Sequence, residues 1–286
     1  MKIKRKVFDS HFHIGKHGKQ LSLDGLVTPI KTEDEHSTYE DCQGYLIKYN
    51  IWGGLIVPTY ISDQKAAFEY NKLIFKGLMD NKKDNIFAGL WVSPLNEIMN
   101  LTKDALNNLP NIKIKALKMS ANSWEGISVS PSSWTKEIKS NMDYIIQKAI
   151  DYGLILHFHS GERVNDVDKF DDFLSEYGSA TRIQFIHMGE TLTGAFRFVP
   201  NFVKWLKKGY DIYCDTSMVP GFATRWILNE IEDIENGFDR VLFATDSPWE
   251  SFLSEYWKID DLNIPEELKE KIFWRNAVRL YSIQNS

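Results

Sequence analysis

The chain has 286 residues, of which 43% are hydrophobic and 26% charged. This composition is typical of a folded globular protein with a large core, and it excludes a disordered chain. Lys and Arg number 34 against 39 Asp and Glu, a formal net charge of -5, which argues against a nucleic-acid-binding protein, because such proteins usually carry a basic face. Two cysteines, Cys42 and Cys214, are too few for a disulfide framework or a multi-cysteine zinc site.

The sequence shows neither a membrane span nor a secretion signal. Its longest apolar runs fall far short of the roughly 20 residues that cross a bilayer. The basic residues 1–6 are not followed by the apolar segment of a signal peptide. We therefore expect a cytoplasmic protein that acts on a small-molecule substrate without a nucleic-acid or membrane partner. The sequence leaves assembly into a homo-oligomer open.

Short apolar segments that end in polar residues alternate with amphipathic segments along the chain. Apolar runs of this length are typical of buried strands when turn residues bound them. The segments predicted as strands are 6–13, 54–59, 86–93, 114–120, 154–160, 183–188, 211–216 and 241–247.

Helix start and stop signals separate these strands. Ser37 and Glu40 have the spacing of a capping box, and Gly153 and Gly178 are expected to follow the ends of two helices. The segments predicted as helices are 37–49, 63–79, 94–109, 144–152, 168–177, 198–208, 223–235 and 266–280.

Eight units of strand and helix predict an α/β protein with a (β/α)8 TIM barrel, a fold of typically about 250 residues. An open doubly wound sheet also alternates strands and helices, but it does not need eight units. No linker interrupts the pattern, so we predict one barrel domain over residues 1–286. Residues 14–36 lack clear periodicity, and loops longer than about 12–15 residues often act as lids. We predict a lid loop there, with His17 and His36 on the surface.

Five of the seven histidines lie at the C-terminal ends of predicted strands. In a barrel these ends form the catalytic face, so the side chains would converge although they are distant in sequence. They are His11 and His13 on the first strand, His157 and His159 on the fifth, and His187 on the sixth.

The first strand places two imidazoles, His11 and His13, at alternate positions. Side chains at such positions point to the same face of a strand, so both can reach one metal ion. Neutral imidazole binds zinc and similar divalent ions. Asp9 has the same parity and is placed to orient a ligand histidine through a hydrogen bond.

Two further strand ends carry candidate ligands. His159 is nearest the end of the fifth strand and is the better metal candidate. His157 lies one layer deeper and is interpreted as a core residue or a hydrogen-bonded support, although two ligands from this strand stay open. Asp246, at the end of the eighth strand, is placed to bind a metal ion and to accept a proton from water, with a turn-capping role as the alternative. Cys214 is interpreted as a buried, inert thiol.

Four motifs in chain order resemble the amidohydrolase superfamily, and within it the amidohydrolase-2 branch. They are Asp9-Ser10-His11-Phe12-His13, His159-Ser160-Gly161, Ile186-His187-Met188-Gly189 and Ala244-Thr245-Asp246-Ser247-Pro248, and the tail Asn276-Ala277-Val278-Arg279-Leu280-Tyr281 is similar to the terminal helix of that branch.

This resemblance implies a distorted barrel with one divalent metal ion at its mouth. His11, His13, His159 and Asp246 would bind the ion, and His187 would lie beside it as a catalytic residue together with Asp246. Zn²⁺ is the expected ion, and Mn²⁺, Fe²⁺ and Co²⁺ accept similar ligands.

Lys118, on the fourth predicted strand, has two interpretations. Some members of the superfamily carry a carboxylated lysine on this strand that bridges two metal ions. Otherwise the ammonium group pairs with a substrate carboxylate or reaches solvent. In the segment that follows, Trp124 either lines the pocket or packs in the core.

These features together predict a metal-dependent hydrolase of the amidohydrolase-2 type. An activated water would cleave an ester, lactone or amide bond in a small, carboxylate-bearing substrate, with Asp246 as the proton acceptor. The alternative is a non-oxidative, metal-dependent decarboxylase similar to aminocarboxymuconate-semialdehyde decarboxylase, which the ligand pattern does not distinguish. A third interpretation is a barrel with a structural metal ion, or a sensor that binds a ligand without turnover.

Overall fold

The computed structural model of the chain describes residues 3–16, 20–21, 27–28, 35–59, 64–81, 85–107, 109, 111, 113–161 and 165–284. Its strands, in chain order, are β1 (Phe8–Ile14), β2 (Gln20–Leu21), β3 (Val27–Thr28), β4 (Gly53–Pro58), β5 (Ile86–Trp91), β6 (Ile114–Met119), β7 (Ile155–His159), β8 (Arg182–Ile186), β9 (Ile212–Asp215) and β10 (Val241–Leu242).

Eight of these strands form one parallel sheet in the order β1-β4-β5-β6-β7-β8-β9-β10. Hydrogen bonds close the sheet between its two ends, because Ser10 N donates to Phe243 O at 3.0 Å and His13 N donates to Ser247 O at 2.8 Å. Asp246 N donates in return to His11 O at 2.9 Å. The predicted (β/α)8 barrel is confirmed. Its eighth strand is shorter than predicted, and the segment after it pairs irregularly with β1.

Helices surround the barrel and join successive strands, as parallel strands require. They are α1 (Tyr39–Tyr49), α2 (Gln64–Asp80), α3 (Met99–Leu106), α4 (Lys136–Tyr152), α5 (Phe170–Tyr177), α6 (Leu192–Lys207), α7 (Gly221–Glu230), α8 (Phe252–Asp260), α9 (Glu266–Glu270) and α10 (Asn276–Leu280), with one π-helical turn, Lys271–Arg275, between the last two.

The helix boundaries differ from the predicted ones where side-chain caps decide them. The capping box at the start of α1 uses Thr38 and Asp41, each one residue later than predicted, because the Thr38 side chain accepts from Asp41 N. Thr191 caps α6 by accepting from Gly194 N, so this helix begins six residues before the predicted start. The end of α4 is as predicted, with Gly153 in the left-handed conformation at φ 63°. The start expected at residue 63 lies outside the described residues.

An aromatic layer packs the strands that carry His159 and His187 against their helices. Phe158 of β7 contacts Phe170 of α5, and Phe185 of β8 stacks on Trp205 of α6 with ring centroids 5.2 Å apart. Burial of a phenylalanine side chain contributes roughly 1.5–3 kcal/mol, so this layer holds both strand ends in place. Trp124 is also fully buried in the core, which favours packing over a role in the pocket wall.

The segment 14–36 is described only in part. Residues 20–21 and 27–28 pair as a small antiparallel sheet, whereas residues 17–19, 22–26 and 29–34 of the predicted lid, with His17, lie outside the described residues. His36 is not a surface histidine. It is 2% exposed, packs edge-on against Phe12, and lies 3.1 Å from Ser247 Oγ through Nε2.

None of the helices in the described part of the chain is both long and apolar enough to cross a membrane.

Candidate active site

A cavity of about 380 Å³ opens at the C-terminal ends of the barrel strands. Such ends form the active-site face of TIM-barrel enzymes. Two tryptophans, Trp91 and Trp249, form part of its wall. The predicted site residues that line it are His13, Lys118, His159, His187 and Asp246.

Three predicted metal ligands meet at the floor of this cavity. The candidate ligand atoms of His11, His13 and Asp246 all lie within 4.8 Å of one another. Asp246 Oδ1 is 3.0 Å from His13 Nε2 and 3.5 Å from His11 Nδ1. The alternation of β1 turns both histidines to the same side, while the backbone bond from Asp246 N to His11 O brings the carboxylate to them.

The contact between His13 and Asp246 needs a proton or a cation between the two atoms. Pro58 O, 3.2 Å from His13 Nδ1, is an acceptor only, so this nitrogen carries the ring proton of a neutral imidazole. The lone pair of His13 Nε2 then faces the lone pairs of Asp246 Oδ1. Burial lowers the pKa of His13 to about 3 and raises the pKa of Asp246 to about 7. Since His11 Nδ1 also has no hydrogen-bond partner among the described residues, this set of two nitrogens and one oxygen fits a divalent metal ion.

His159 lies on the same cavity wall but apart from these three ligand atoms. Its ring is 5.0 Å from that of His187, and its Nε2 is 3.3 Å from Glu190 Oε2. Within the described residues, the groups whose ligand atoms lie within 4.8 Å of one another are His11–His13–Asp246 and His11–His187–Asp215. His159 belongs to neither, so metal binding by His159 stays a prediction.

Four residues that line the cavity have a left-handed backbone. They are His187, Glu190, Met218 and Asp246, with φ between 54° and 65°. A non-glycine residue held in such a sparsely populated conformation costs on the order of 1–3 kcal/mol and persists only where its surroundings impose it. The loops after β8, β9 and β10 therefore hold these side chains at the mouth against their local preference.

Lys118 places a cation beside the ligand cluster. It is 3% exposed, and its Nζ lies 3.4 Å from His11 Nε2. Burial lowers the pKa of Lys118 to about 8, against the opposing effect of Asp246. The ammonium group is therefore still largely charged at pH 7, in a position to attract an anionic substrate.

Two residues expected to support the ligands lie below them in the barrel. His157 is buried, with Nε2 3.0 Å from Tyr281 Oη. Asp9 was expected to hold a ligand imidazole, but it does not: it accepts from the backbone N–H of His11, from the backbone and hydroxyl of Thr245, and from the Tyr45 hydroxyl. The reason is a register shift in β1 between Asp9 and Phe12, which breaks the alternation that would have placed Asp9 with His11 and His13, so that it faces Tyr45 and Thr245.

Sequence reasoning missed two carboxylates at the site. Asp215, at the end of β9, is fully buried with Oδ2 3.8 Å from His11 Nδ1, and burial raises its pKa. Its position at a strand end was the available signal. Glu190 approaches His159 because Gly161 leaves room for it: a Cβ at Gly161 would lie 2.4 Å from Glu190 Oε2. Its spacing of three residues from His187 was the only sequence cue.

Comparison with known proteins identifies one family. Residues 62–283, well over half of the chain, match the amidohydrolase family profile (amidohydrolase-2). Comparison with curated protein sequences found no significant match.

Several solved structures share the fold along the whole chain. A probable 2-pyrone-4,6-dicarboxylic acid hydrolase from Acinetobacter baumannii, with citric acid bound, is 12% identical with a TM-score of 0.63 and covers 98% of this chain and 100% of its own. The 5-carboxyvanillate decarboxylase from Sphingomonas paucimobilis is 12% identical with a TM-score of 0.67, covering 98% and 99%. A dihydroxybenzoic acid decarboxylase from Polaromonas sp. JS666, with bound manganese and an inhibitor, is 14% identical with a TM-score of 0.63, covering 98% of each chain. At these identities the similarity establishes the fold and not the reaction.

Proposed function

Because the chain belongs to the amidohydrolase family, we propose that it is a metal-dependent hydrolase of small esters, lactones or amides that carry a carboxylate. The observation that carries this proposal is the convergence of His11, His13 and Asp246 within 4.8 Å at the cavity floor. The Lys118 ammonium group beside them gives the reason to expect an anionic substrate.

His11, His13 and Asp246 would hold the divalent ion, with His159 as a further ligand from β7. When bound, the ion would supply a Lewis acid that polarises a substrate carbonyl and makes a water molecule more acidic. Zn²⁺ suits two imidazoles and a carboxylate, and Mn²⁺ is the alternative, because a manganese ion is bound in the similar Polaromonas structure.

The chain's own residues supply proton transfer and substrate binding. Asp246 accepts the proton of the attacking water and returns it to the leaving group, a role for which a pKa near neutral is suited. Lys118 binds the substrate carboxylate. His187, whose ring lies 5.7 Å from that of His11 and 5.0 Å from that of His159, binds the attacking water. The side chains of Trp91 and Trp249 bound the cavity and restrict it to small substrates.

A non-oxidative decarboxylase is the second candidate, and the position of Lys118 favours it. A carboxylate bound there would lie next to His11 and Asp246. Loss of CO₂ then requires a proton at the carbon that it leaves, which Asp246 is placed to deliver. The decarboxylases of similar fold act on hydroxylated benzoic acids, and the two tryptophans offer a wall for such a ring.

The two reactions are separated by their products. The purified chain, loaded with Zn²⁺ or Mn²⁺, is incubated with a panel of carboxylate-bearing lactones and esters and with a panel of hydroxybenzoic acids. We expect release of acid from the first panel. A chelator should abolish this activity, and added metal should restore it. Evolution of CO₂ from the second panel would replace the hydrolase assignment by the decarboxylase. Tight metal binding without turnover in either panel would contradict both and favour a sensor or a structural metal ion.

A further inference from the structure

A buried carboxylate, Asp215, lies below the candidate ligands and has no part in the proposed proton transfers. Its Oδ1 accepts three hydrogen bonds, from Ser217 Oγ at 2.6 Å, Ser217 N at 3.2 Å and His187 N at 3.1 Å. All three donors belong to the two loops that shape the wall around His187. Asp215 therefore joins the end of β9 to the backbone that carries His187.

The same contacts fix which nitrogen of His187 carries the proton. Ser217 O, 3.3 Å from His187 Nδ1, can only accept, so Nδ1 is the donor. Ser217 Oγ gives its own proton to Asp215 and accepts a second bond from Nδ1 at 2.9 Å. In a neutral imidazole the lone pair then lies on Nε2. The relay from Asp215 through Ser217 thus keeps that nitrogen free to act as an acceptor.

A second set of hydrogen bonds holds Asp215 from below. Gln184 Nε2 donates to Asp215 Oδ2 at 3.1 Å, and the other end of this amide, Oε1, accepts from the Tyr281 hydroxyl. A carboxylate only accepts, so the orientation of the Gln184 amide is determined. His157 Nε2 lies 3.0 Å from the Tyr281 oxygen and completes the set.

Tyr281 connects this network to the C-terminal tail. It follows α10 directly, and Asn276 anchors that helix by donating to Phe238 O at 2.9 Å and Val241 O at 2.8 Å. The tail motif thus does more than cover the bottom of the barrel, because its tyrosine hydroxyl reaches the polar interior below the site. Polar groups in such a buried position are costly unless all are paired, and here the chain of partners leads to His187.

We propose that Asp215 is a positioning residue that sets the tautomer and direction of His187 through Ser217, and that Gln184 and Tyr281 hold Asp215 in place. The inference rests on the proposed function for its effect on catalysis. The tautomer is a property of the chain itself and is measured separately.

The tautomer is read by ¹⁵N NMR of the Zn²⁺-loaded full chain labelled at histidine, with His187 assigned by its loss in His187→Gln. We expect Nδ1 of His187 to be protonated in the wild type. In Asp215→Asn a share of the other tautomer should appear, because the Ser217 hydroxyl is then free to donate to Nδ1 in competition with the Ser217 carbonyl. A wild-type His187 protonated at Nε2 overturns the inference, whatever reaction the chain catalyses. This measurement therefore stands even if neither substrate panel is turned over.

The kinetic test uses the substrate that the wild type turns over. Loss of a residue that supports a metal or catalytic group typically costs about 10–100-fold, so Asp215→Asn should lower kcat by that factor and leave KM within about threefold. Tyr281→Phe should lower kcat by less, about 3–10-fold. The control is Tyr213→Phe. It removes a tyrosine hydroxyl of β9 that hydrogen-bonds to Asp211 and lies outside the network, so it should leave kcat unchanged.

A double variant separates positioning from simple stabilisation. Gln184→Glu added to Asp215→Asn again pairs one carboxylate with one amide, so it should restore thermal stability. It moves the charge away from Ser217 and His187, so kcat should stay low. Recovery of kcat together with stability, or a kcat for Asp215→Asn within twofold of wild type, would show that Asp215 only satisfies buried groups and would overturn the proposal.

Discussion

The buried carboxylates at the mouth of the barrel and those below it differ in how completely they are paired. Asp9 and Asp215 each accept four hydrogen bonds. Within the described residues the Asp246 carboxylate has one hydrogen-bond contact, with His13 Nε2 at 3.0 Å, although the residue is 3% exposed. Burial of an unpaired carboxylate is costly. The difference indicates that the lower pair serves as scaffold, whereas the lone pairs of Asp246 are kept open for a bound ion, a proton or substrate.

The largest effect is expected at the open carboxylate. Asp246→Asn should lower kcat at least about 10³-fold, since a positioned acid–base group contributes roughly 10²–10⁴-fold and the ion also loses its anionic ligand. Steady-state kinetics measures this, with the exposed Asp80→Asn as control. A variant that keeps more than a tenth of the wild-type kcat would refute the role of Asp246.

Asp9, a fully paired carboxylate, should matter for stability, whereas Asp246 matters for kcat. Asp9→Asn places an amide NH₂ against the Thr245 and Tyr45 hydroxyls, and we expect a loss of about 1.5–3 kcal/mol in the free energy of unfolding, the range for hydrogen bonds to charged groups. Urea unfolding of the metal-free chain measures it. In the same assay Asp246→Asn should be neutral or stabilising, because it removes a poorly paired charge. Equal losses in both variants would erase the distinction between the two regions.

Replacement of Lys118 tests whether the cavity at the barrel mouth binds an anionic substrate. Lys118→Met should raise KM for a carboxylate-bearing substrate about 10–100-fold, since a charged hydrogen bond contributes roughly 1.5–3 kcal/mol. KM for the neutral methyl ester of the same substrate should hardly change. Lys115→Met, a partly exposed lysine on the same strand, is the control. A fall from two bound metal ions to one in Lys118→Met would instead assign the lysine to a metal bridge.

The smallest effect concerns Glu255, a buried carboxyl of α8 that pairs with Lys258. Burial raises its pKa from 4.5 to about 8, more than Lys258 lowers it. A carboxyl with a raised pKa in the fold stabilises it at low pH, and this contribution is lost as the pH rises through the folded value. Between pH 5 and 8 the wild type should therefore lose at least about 1 kcal/mol that Glu255→Gln does not lose. Urea unfolding at both pH values checks this, and the exposed Glu267→Gln should follow the wild type.

The barrel and most of its candidate site could be predicted because they depend on local pattern. The apolar runs fix the strands, and the catalytic face of a barrel follows from strand direction, so His13, Lys118, His159, His187 and Asp246 were expected at one mouth and lie there.

What could not be predicted depends on contacts between distant segments. His36 was expected in a surface loop, but the segment around Ser247, 211 residues away in the chain, buries it. The hydrogen bonds around Asp215 also join distant segments. Tyr281 lies 97 residues from Gln184 in the chain, and a single sequence does not predict that contact. A register shift in β1 between Asp9 and Phe12 breaks the predicted strand parity, so the Asp9 carboxylate meets Tyr45 of α1 and Thr245 and not a ligand imidazole.

The most direct test of the candidate metal site is an anomalous-scattering map of crystals grown from metal-loaded protein, together with elemental analysis of the same sample. We expect a divalent ion bonded to His11, His13 and Asp246 at roughly 2.0–2.2 Å. A fully metal-loaded sample with no anomalous peak in contact with these three side chains would contradict it.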